Sequence, residues 1–371
     1  MSYPDFPGSY RGIFIQKLCR ELTRQGHRVI VVTPRIYSRS PLYENDEGIE
    51  IHRFRFPSGD KPLGQSSGLP ILPMIWFMIS GLWQTLSLSL RERPDIIHGN
   101  WIVPTGLIAA LAGFILRIPV VNTARGMDIR ISDSGPIRLL FNLAIRLSQR
   151  LVLVSPAMRS RPGLEQAEVI PSGVDDIFFS LTRDHDSPTI ISTRSLEPIY
   201  DLETLLKSLP EVRAKFPEAR CILAGTGSQA AYLKDLARQL GIEQSVDFVG
   251  SVPQQEIIRL LQISRIFVSS CIDDGTSVAL LEAMAAGLIP VVTDIEANRP
   301  WVKNGEDGFL FPCGDSHFLA EHILQAISGH IAFTALEDKR ALLKRDMAWS
   351  QIAAQYVKVY EFIRSQKIKV P

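Results

Sequence analysis

The segment from Arg265 to Glu296 constrains the fold more than any other part of the chain. It begins with an apolar, β-branched run, Arg265 to Ser270, which is typical of a buried strand. A polar loop follows, and Val278 to Ala286 is then rich in strong helix formers, with Gly287 at the position of a helix C-cap glycine. Ile289 to Thr293 is a second buried strand. The pattern predicts a strand–loop–helix–strand unit whose loop opens onto a helix N-terminus.

Two carboxylates stand on this loop and helix. The free backbone N–H groups at a helix start form a ready site for an anion. Asp274 lies in the loop and Glu282 follows eight positions later, so a helical rise of about 1.5 Å per residue places them roughly 10 Å apart. A nucleotide-sugar, with hydroxyls at both ends and phosphates between, could span that distance. The spacing equally allows Asp274 to cap the helix and Glu282 to lie on the surface.

The stretch DDGTSVALLEAMAAGLIPVVTD, residues 273–294, resembles the signature of the family-four (GT4) retaining glycosyltransferases. That family carries an acidic residue, seven intervening positions, then Glu and a small-residue helix. Asp274 stands where many members have Glu, and the DGTS form is familiar in one branch. The resemblance implies an α/β protein with the GT-B fold, in which two Rossmann-like parallel-sheet domains face each other across a cleft. It also implies sugar transfer from a nucleotide-activated donor with retained anomeric configuration.

Length and composition agree with two globular domains in 371 residues. The four cysteines form no CxxC pair and no nearby His pattern, which favours reduced thiols and disfavours a zinc site. No basic and apolar leader is evident. Residues 1–180 hold 20 Lys and Arg against 15 Asp and Glu, a net +5, and the rest hold 20 against 24, a net −4. The basic half suits an anionic membrane surface or acceptor, so we expect a cytoplasmic protein at the inner face of a membrane.

Residues 1–180 are predicted to form the acceptor-binding domain. Gly12 to Gly26 is typical of an amphipathic helix, and Arg28 to Thr33 of a buried strand. The family instead begins with a strand, then a glycine loop that FPGSYRGIF resembles, then this helix. The first N-terminal strand is therefore expected to be missing, through a truncated start or a reduced domain. Because that strand is normally internal, its loss would leave sheet edges open and lower the stability.

The run from Leu69 to Leu90 contains no charged residue. Its length suits a membrane span, but Pro70, Pro73 and several polar residues favour a buried or interfacial helix.

Two loops follow the next predicted strands, and both resemble family loops. HGNW begins at His98, where the family often has His-x-His, and ARGMD ends at Asp128, where it often has His-Gly-x-Asp. Asn100 and Arg125 occupy two of those His positions. The resemblance implies an acceptor side formed by Gly12, His98, Arg125 and Asp128. Purely structural roles remain open for two of them: His98 could bond a neighbouring backbone, and Asp128 could cap the following turn.

Residues 189–345 are predicted to form the nucleotide-sugar-binding domain, after a polar linker at residues 181–188. Arg194 matches the family arginine that grips the donor diphosphate together with a lysine, but the lysine position falls near Tyr200. An arginine alone can hold phosphate bidentately. The resemblance implies that Asp274 and Arg194 are catalytic and that the donor is bound by Glu282, Gly275, Thr276, Ser277, Val278, Gly225, Gly250, Ser251 and Val252.

The last segment, residues 346–371, is predicted to be a C-terminal helix that crosses back to the first domain. Its apolar residues recur at helical spacing, which indicates packing rather than function: Trp349, Ile352, Tyr356, Val359 and Ile363.

The predicted function is transfer of a sugar from a UDP- or GDP-linked donor to a glycan, lipid or small-molecule acceptor, as in polysaccharide biosynthesis. No cofactor, metal or nucleic-acid partner is expected, since Asp273 and Asp274 alone are insufficient for a metal site. A nucleotide-sugar epimerase on the same fold is one alternative. A non-catalytic relative is another, given the absent lysine, Arg125 in place of His and the missing strand. A Rossmann oxidoreductase is disfavoured because no GxGxxG follows the first strand.

Overall fold

The computed structural model describes residues 3–6, 11–61, 71–126, 128–129, 135–182 and 187–366. The chain forms two compact α/β units. The N-terminal unit comprises Met1–Ser172 and Trp349–Pro371, and the C-terminal unit comprises Gly173–Ala348. The last helix is therefore part of the N-terminal unit. The C-terminal unit begins before the linker predicted at 181–188, of which residues 183–186 lie outside the described residues.

The C-terminal unit contains one continuous parallel sheet. Its six strands lie in the order β10-β9-β8-β11-β12-β13, and they are β8 (Thr189–Ser192), β9 (Arg220–Leu223), β10 (Val246–Phe248), β11 (Ile266–Ser269), β12 (Ile289–Thr293) and β13 (Phe309–Phe311). Numbered within the unit, this order is 3-2-1-4-5-6, which is the Rossmann order. Every residue of β11 and β12 is buried, as expected where helices cover both faces of a parallel sheet. The predicted strand–loop–helix–strand unit is confirmed.

The helices of this unit are α5 (Leu202–Lys215), α6 (Ala230–Gln239), α7 (Gln254–Gln262), α8 (Val278–Ala285), α9 (Ser316–Ile327) and α10 (Phe333–Met347). The helix of the signature segment is α8.

The N-terminal unit contains two separate sheets. The first has the order β1-β3-β2 and consists of β1 (Ile30–Pro34), β2 (Tyr43–Asp46) and β3 (Ile49–Phe54). The second has the order β4-β5-β6-β7 and consists of β4 (Ile97–Asn100), β5 (Val120–Ala124), β6 (Arg150–Leu153) and β7 (Glu168–Val169). β1 pairs in parallel with β3, and β4 to β7 are all parallel. Among the described strands, none joins β1 to β4. The absence of the family's first strand stays a prediction.

The β2–β3 hairpin was not predicted from the sequence. Its turn consists of Glu47 and Gly48, both with positive φ, at 52° and 89°. Two consecutive residues of positive φ match the twist that joins antiparallel strands tightly. The sequence signal for it is the short polar run before Gly48.

The helices of the N-terminal unit are α1 (Ile13–Arg24), α2 (Ile71–Glu92), α3 (Leu107–Leu116), α4 (Gly135–Arg146) and α11 (Trp349–Ser365). All five apolar residues predicted to form a packing stripe on α11 are buried, in a cluster that includes Leu18 and Leu22 of α1. The predicted helix in the uncharged run is α2, Ile71–Glu92; Leu69 and Pro70 of that run lie outside the described residues.

Candidate functional site

A polar cluster lies where the strand order of the C-terminal sheet reverses, between β8 and β11. Arg194 follows β8 and Asp274 follows β11, so the parallel strands place both at one edge of the sheet. The Nη2 of Arg194 donates to Asp274 Oδ2 at 2.6 Å, and its Nη1 donates to Ser277 Oγ at 2.8 Å. A reversal of strand order opens a crevice at the carboxyl ends of the strands, where α/β proteins bind ligands.

The loop before α8 is fixed by its own polar groups. Ser277 is the N-cap residue of α8, and its Oγ accepts a hydrogen bond from the N–H of Leu280 at 3.2 Å. Asp274 Oδ1 accepts from the N–H of Gly275 at 2.8 Å. Asp274 therefore does not cap the helix; Ser277 does. Asp274 is held instead between Arg194 and its own loop, beside a helix start that favours negative charge.

Tyr200 lies near the position at which the family pattern has a lysine. The guanidinium carbon of Arg194 lies 4.2 Å from the centroid of the Tyr200 ring. This cation–π contact and the two hydrogen bonds fix the Arg194 side chain, which is buried. Its Nε has no hydrogen-bond partner among the described residues. The Tyr200 ring therefore orients the Arg194 guanidinium. The sequence alone indicated only that the positive charge of the family lysine is absent.

Gly225 is required by close backbone packing against the same arginine. A Cβ atom at Gly225 would lie 2.2 Å from the carbonyl oxygen of Arg194. The neighbouring glycine, Gly227, is equally close to the carbonyl oxygen of Leu196. The GxG turn after β9 therefore supports the backbone that carries Arg194.

The other predicted donor residues lie at the same edge of the sheet. Glu282 lies one helical turn into α8 and is half-buried. Gly250, with φ of +72°, Ser251 and Val252 follow β10, which is the outermost strand on the β8 side. The topology thus gathers all of the predicted donor residues at the carboxyl edge, and the closest contacts are those of Arg194 with Asp274, Ser277 and Gly225.

Cys271 is the nucleophilic side chain nearest to this cluster, with its Sγ 4.0 Å from Asp274 Oδ2. Burial raises the pKa of the Cys271 thiol above its usual value. The group is therefore a protonated thiol at neutral pH rather than a nucleophilic thiolate.

In the N-terminal unit, Asp128 is fully buried and bound to backbone groups. Its Oδ1 accepts from the N–H groups of Arg125 at 3.0 Å and Gly126 at 2.9 Å, and its Oδ2 accepts from that of Ile102 at 2.9 Å. These bonds join the loop after β5 to the segment after β4. Asp128 thus fixes the local backbone through Ile102 and the two residues Arg125 and Gly126. Capping of the following turn stays a prediction, because residues 130–134 lie outside the described residues.

His98 is held by two side chains rather than by backbone. Its Nδ1 lies 2.7 Å from Tyr360 Oη of α11, and its Nε2 lies 2.8 Å from Thr123 Oγ1 of β5. Burial, with a smaller contribution from the charge of Arg125, lowers the pKa of His98 to about 3. The imidazole is therefore neutral and fully engaged. Tyr360 is 262 residues away in sequence, so no local pattern could have indicated this pair.

Arg125 lies beside His98 without a close carboxylate partner in its described contacts. Its Nη2 donates to Asn100 Oδ1 at 2.8 Å, and its guanidinium carbon lies 4.3 Å from the centroid of the Phe14 ring on α1. Burial lowers the pKa of Arg125, although Tyr356 and Asp128 oppose the change. Gly12, the N-cap residue of α1 with φ of +70°, lies two positions before Phe14. The structure thus brings Arg125, Asn100 and α1 together.

Among the described residues there is no group of three or more His, Cys, Asp or Glu side chains that could hold a metal ion. The expectation of metal-independent chemistry stays a prediction.

Comparison with known proteins assigns this architecture to a class. The fold matches that of sucrose-phosphate synthase from Thermosynechococcus elongatus with a TM-score of 0.78 at 16% identity, over 96% of this chain and 94% of that one. Anabaena HepE, in a crystal structure with UDP-glucose, matches with a TM-score of 0.72 at 20% identity, over 96% and 98%. The chain has the GT-B fold, with parallel sheets in two Rossmann-like domains.

Family models then identify both halves. Residues 12–166 match the glycosyl transferase 4-like domain, and residues 173–341 match glycosyl transferases group 1. An uncharacterized glycosyltransferase of Methanocaldococcus jannaschii is 23% identical over 94% of this chain and 93% of its own length. N-acetyl-alpha-D-glucosaminyl L-malate synthase of Bacillus anthracis is 23% identical over 98% and 97%. These matches support a GT4-type glycosyltransferase.

Proposed function

We propose that this protein transfers a sugar from a nucleotide-sugar to an acceptor hydroxyl with retention of the anomeric configuration. The observation that carries the proposal is Arg194, held between Asp274 and Ser277 at the start of α8. A buried guanidinium beside a helix start suits the binding of a diphosphate. UDP-linked donors are the first to test, because the Anabaena neighbour was crystallised with UDP-glucose; GDP-linked donors are the second.

We propose donor contacts at the carboxyl edge of the sheet. We assign the diphosphate to Arg194 and to backbone amides at the start of α8, and the transferred sugar to Asp274; the N–H of Gly275, which donates to Asp274 Oδ1, shapes the loop. Glu282 accepts hydrogen bonds from the ribose hydroxyls. Backbone groups of residues 250–252 contact the base. The unpartnered Nε of Arg194 gives the guanidinium a donor that its bonds to Asp274 and Ser277 do not use.

The proposed mechanism uses positioning and charge stabilisation without a protein nucleophile. The bond between the anomeric carbon and the donor phosphate oxygen breaks, and the acceptor oxygen forms its bond on the same face of the sugar. The departing phosphate takes the acceptor proton. Arg194 and the helix start stabilise the negative charge that develops on the diphosphate. No metal is required in this scheme, so activity should survive EDTA.

The acceptor is assigned to the N-terminal unit. His98 and Asp128 position the loops there, since their polar atoms are engaged within the unit. Arg125 and Gly12 at the start of α1 are the proposed contacts with the acceptor. We propose a glycan or a lipid-linked acceptor, presented at the inner face of a membrane.

The surface of α2 supports the membrane proposal. By length and composition α2 could cross a membrane. One face of the helix packs within the unit through Phe77, Gly81, Thr85 and Leu88, and a Cβ atom at Gly81 would lie 2.7 Å from Ile108. The opposite face exposes large apolar side chains at helical spacing, namely Leu72, Ile75, Trp76, Ile79, Trp83 and Leu90. We propose that this face lies on an anionic membrane rather than across it.

Radiolabelled UDP- and GDP-sugars, incubated with and without lipid and glycan acceptors, test the function. Label is expected in an acceptor only when both substrates are present. A free altered sugar without acceptor would instead establish an epimerase, and donor binding without any product would establish a non-catalytic relative.

Flotation with anionic liposomes tests the membrane proposal separately. The protein should float at low salt and be released by high salt or alkaline wash, because basic residues near an anionic surface contribute about 1 kcal/mol each and salt screens them. The double variant Trp76→Ser, Trp83→Ser should lose flotation. Phe318→Ser, which changes an exposed aromatic on α9 of the other unit, is the control. Extraction by detergent alone would favour a span through α2.

A further inference from the structure

Arg125 of the N-terminal unit carries a positive charge that its described side-chain contacts do not neutralise. Its Nη2 donates to Asn100 Oδ1 at 2.8 Å, its Nη1 lies 3.5 Å from Ser172 Oγ, and its guanidinium carbon lies 4.3 Å from the centroid of the Phe14 ring. All three of these partners are neutral. The Nε is buried and has no hydrogen-bond partner among the described residues. Buried charges in proteins are ordinarily paired, so this guanidinium departs from the usual pattern.

Another arginine of the same unit shows the usual arrangement. The side chain of Arg53 is fully buried and forms an ion pair with Glu44. A carboxylate both orients an arginine and cancels its charge, whereas an amide or a hydroxyl orients it and leaves the charge in place. Asn100 and Ser172 therefore hold Arg125 as an oriented cation.

The titratable groups around Arg125 do not pair with it. The carboxylate oxygens of Asp128 accept hydrogen bonds from three backbone N–H groups, and the guanidinium is not among the donors. His98 is neutral, and both of its ring nitrogens are engaged. The phenols of Tyr356 and Tyr360 complete the surroundings. A ligand with a negative charge would complete the contacts of Arg125.

The side chain at position 125 also differs in charge from the histidine of the family pattern that ARGMD resembles. A histidine in these surroundings would be neutral, because burial lowers the pKa of the neighbouring His98 to about 3. Burial lowers the pKa of Arg125 too, but from an ordinary value of 12.5, which lies far above neutrality. The chain therefore has a permanent positive charge where a histidine would carry none.

The guanidinium is within reach of a ligand. Arg125 is half-buried, so part of its side chain contacts solvent. It directly follows β5 and so lies at the carboxyl edge of the second sheet, the edge at which open α/β sheets bind ligands. The planar guanidinium fork matches the oxygen atoms of a carboxylate or a phosphate.

We propose that the acceptor carries a negatively charged group, a carboxylate or a phosphate, and that this group binds to the Arg125 guanidinium. The inference rests on the proposed function, in which Arg125 contacts the acceptor, and it narrows the acceptor to an anionic one. Acidic sugars and phosphorylated sugars or lipids satisfy this requirement, whereas neutral glycans do not. The excess of basic over acidic residues in residues 1–180 favours the approach of such an acceptor.

Three sugars of similar size test the charge preference on the full chain: glucose, glucuronic acid and glucose 6-phosphate. Their dissociation constants are measured by ligand-observed NMR with UDP at saturation, so that the donor site is closed to them. At least one anionic sugar should bind at least about tenfold more tightly than glucose, and the tighter of the two identifies a carboxylate or a phosphate. Equal affinity for the three sugars would overturn the proposal.

Variants at position 125 assign this preference to the guanidinium. Arg125→His should abolish it, and Arg125→Lys should keep part of it, because an ammonium retains the charge without the fork. Arg24→Gln, which changes an exposed arginine on α1, is the control and should keep all of it. Melting temperatures show that each variant is folded. A preference that survives in a folded Arg125→His variant would contradict the proposal.

Transfer gives a second test. The acceptor that takes up label from the radiolabelled donor is compared with its own neutral form, the methyl ester of a carboxylate or the dephosphorylated form of a phosphate. The wild type should use the anionic form with at least about tenfold lower KM, and Arg125→His should raise that KM to the value for the neutral form without changing kcat for the neutral form. A labelled acceptor without a negative charge, or an equal loss for both forms, would refute the proposal.

Calorimetry with UDP and GDP separates this inference from the proposed function. The UDP affinity of Arg125→His should equal that of the wild type, because Arg125 and the proposed donor residues belong to different units. A wild-type chain that binds neither nucleotide would refute the donor assignment. The sugar titrations, repeated without UDP, would then still decide whether Arg125 selects an anion.

Discussion

The sheets of the two units differ most in how their central strands are buried. In the C-terminal sheet every residue of β11 and β12 is buried, because a strand lies on each side and helices lie on each face. In the N-terminal unit three of the five residues of β1 and three of the four residues of β4 are only half-buried, and residues of both strands line a cavity. β1 (IVVTP) is as apolar as β12 (IPVVT), whereas β4 (IHGN) is more polar. For β1, the lower burial therefore reflects the absence of a paired strand on one side among the described strands.

The polar clusters of the two units also differ, in how their polar atoms are partnered. Around Arg194, two hydrogen bonds and the Tyr200 ring fix the guanidinium, and its buried Nε has no hydrogen-bond partner among the described residues. The side-chain polar atoms of His98 and Asp128 are engaged in hydrogen bonds that hold loops together. In the proposed function the first cluster binds the donor diphosphate, whereas the bonds of the second cluster hold loops in place. Mutations should therefore affect turnover most in the first and stability most in the second.

Arg194→Ala is the largest expected effect. Loss of the only described side-chain cation in contact with Asp274 should reduce turnover by at least about 10³-fold while leaving the fold intact. Arg194→Lys should recover little, because an ammonium cannot reproduce the bidentate fork. Arg220→Ala, which breaks an exposed ion pair with Asp247 on the same sheet, is the control in the same kinetic assay. Full activity of the Lys variant would show that a point charge suffices.

Glu282→Ala should weaken donor binding without unfolding the protein. The loss of charged hydrogen bonds to the ribose should cost about 1.5–3 kcal/mol, measured by calorimetry with UDP or UDP-glucose. Glu321→Ala, an exposed carboxylate on α9, serves as the control. Unchanged affinity in the Glu282 variant would remove this residue from the binding site.

Gly225→Ala should destabilise the C-terminal unit by about 1–3 kcal/mol, because the new Cβ would lie 2.2 Å from the Arg194 carbonyl oxygen and the backbone must move. Turnover should fall with it, since the displaced backbone carries Arg194. Gly135→Ala, where a Cβ meets open space, should leave the denaturant midpoint unchanged. A Gly225 variant with normal stability and activity would show that the GxG turn is a simple turn.

The last comparison concerns pH. The pKa of His98 is about 3 in the folded protein, below the ordinary value of 6.5, so the unfolded chain binds the extra proton first as pH falls. Stability should therefore decrease as pH falls from 6.5 toward 3, by at most about 1.4 kcal/mol per pH unit. His98→Gln should flatten this slope in denaturant titrations, and the exposed His317→Gln should not. An unchanged slope would mean that other groups dominate acid sensitivity.

The sequence by itself determined the local elements of the C-terminal unit. Apolar runs, a run of helix formers and Gly287 were enough to predict β11, α8 and β12, because these signals act between neighbouring residues. The uncharged run from Leu69 to Leu90 was likewise enough to predict a helix. For α2, however, the sequence did not say which face would be buried.

Only the tertiary structure decided how those elements meet. The bond from Arg194 to Asp274 joins residues 80 positions apart, and the bond from His98 to Tyr360 joins residues 262 positions apart. Tyr200 became an aromatic support for Arg194 only when the loop after β8 folded against β11. The pairing of the N-terminal strands into two separate sheets likewise depends on contacts between distant segments that no local pattern encodes.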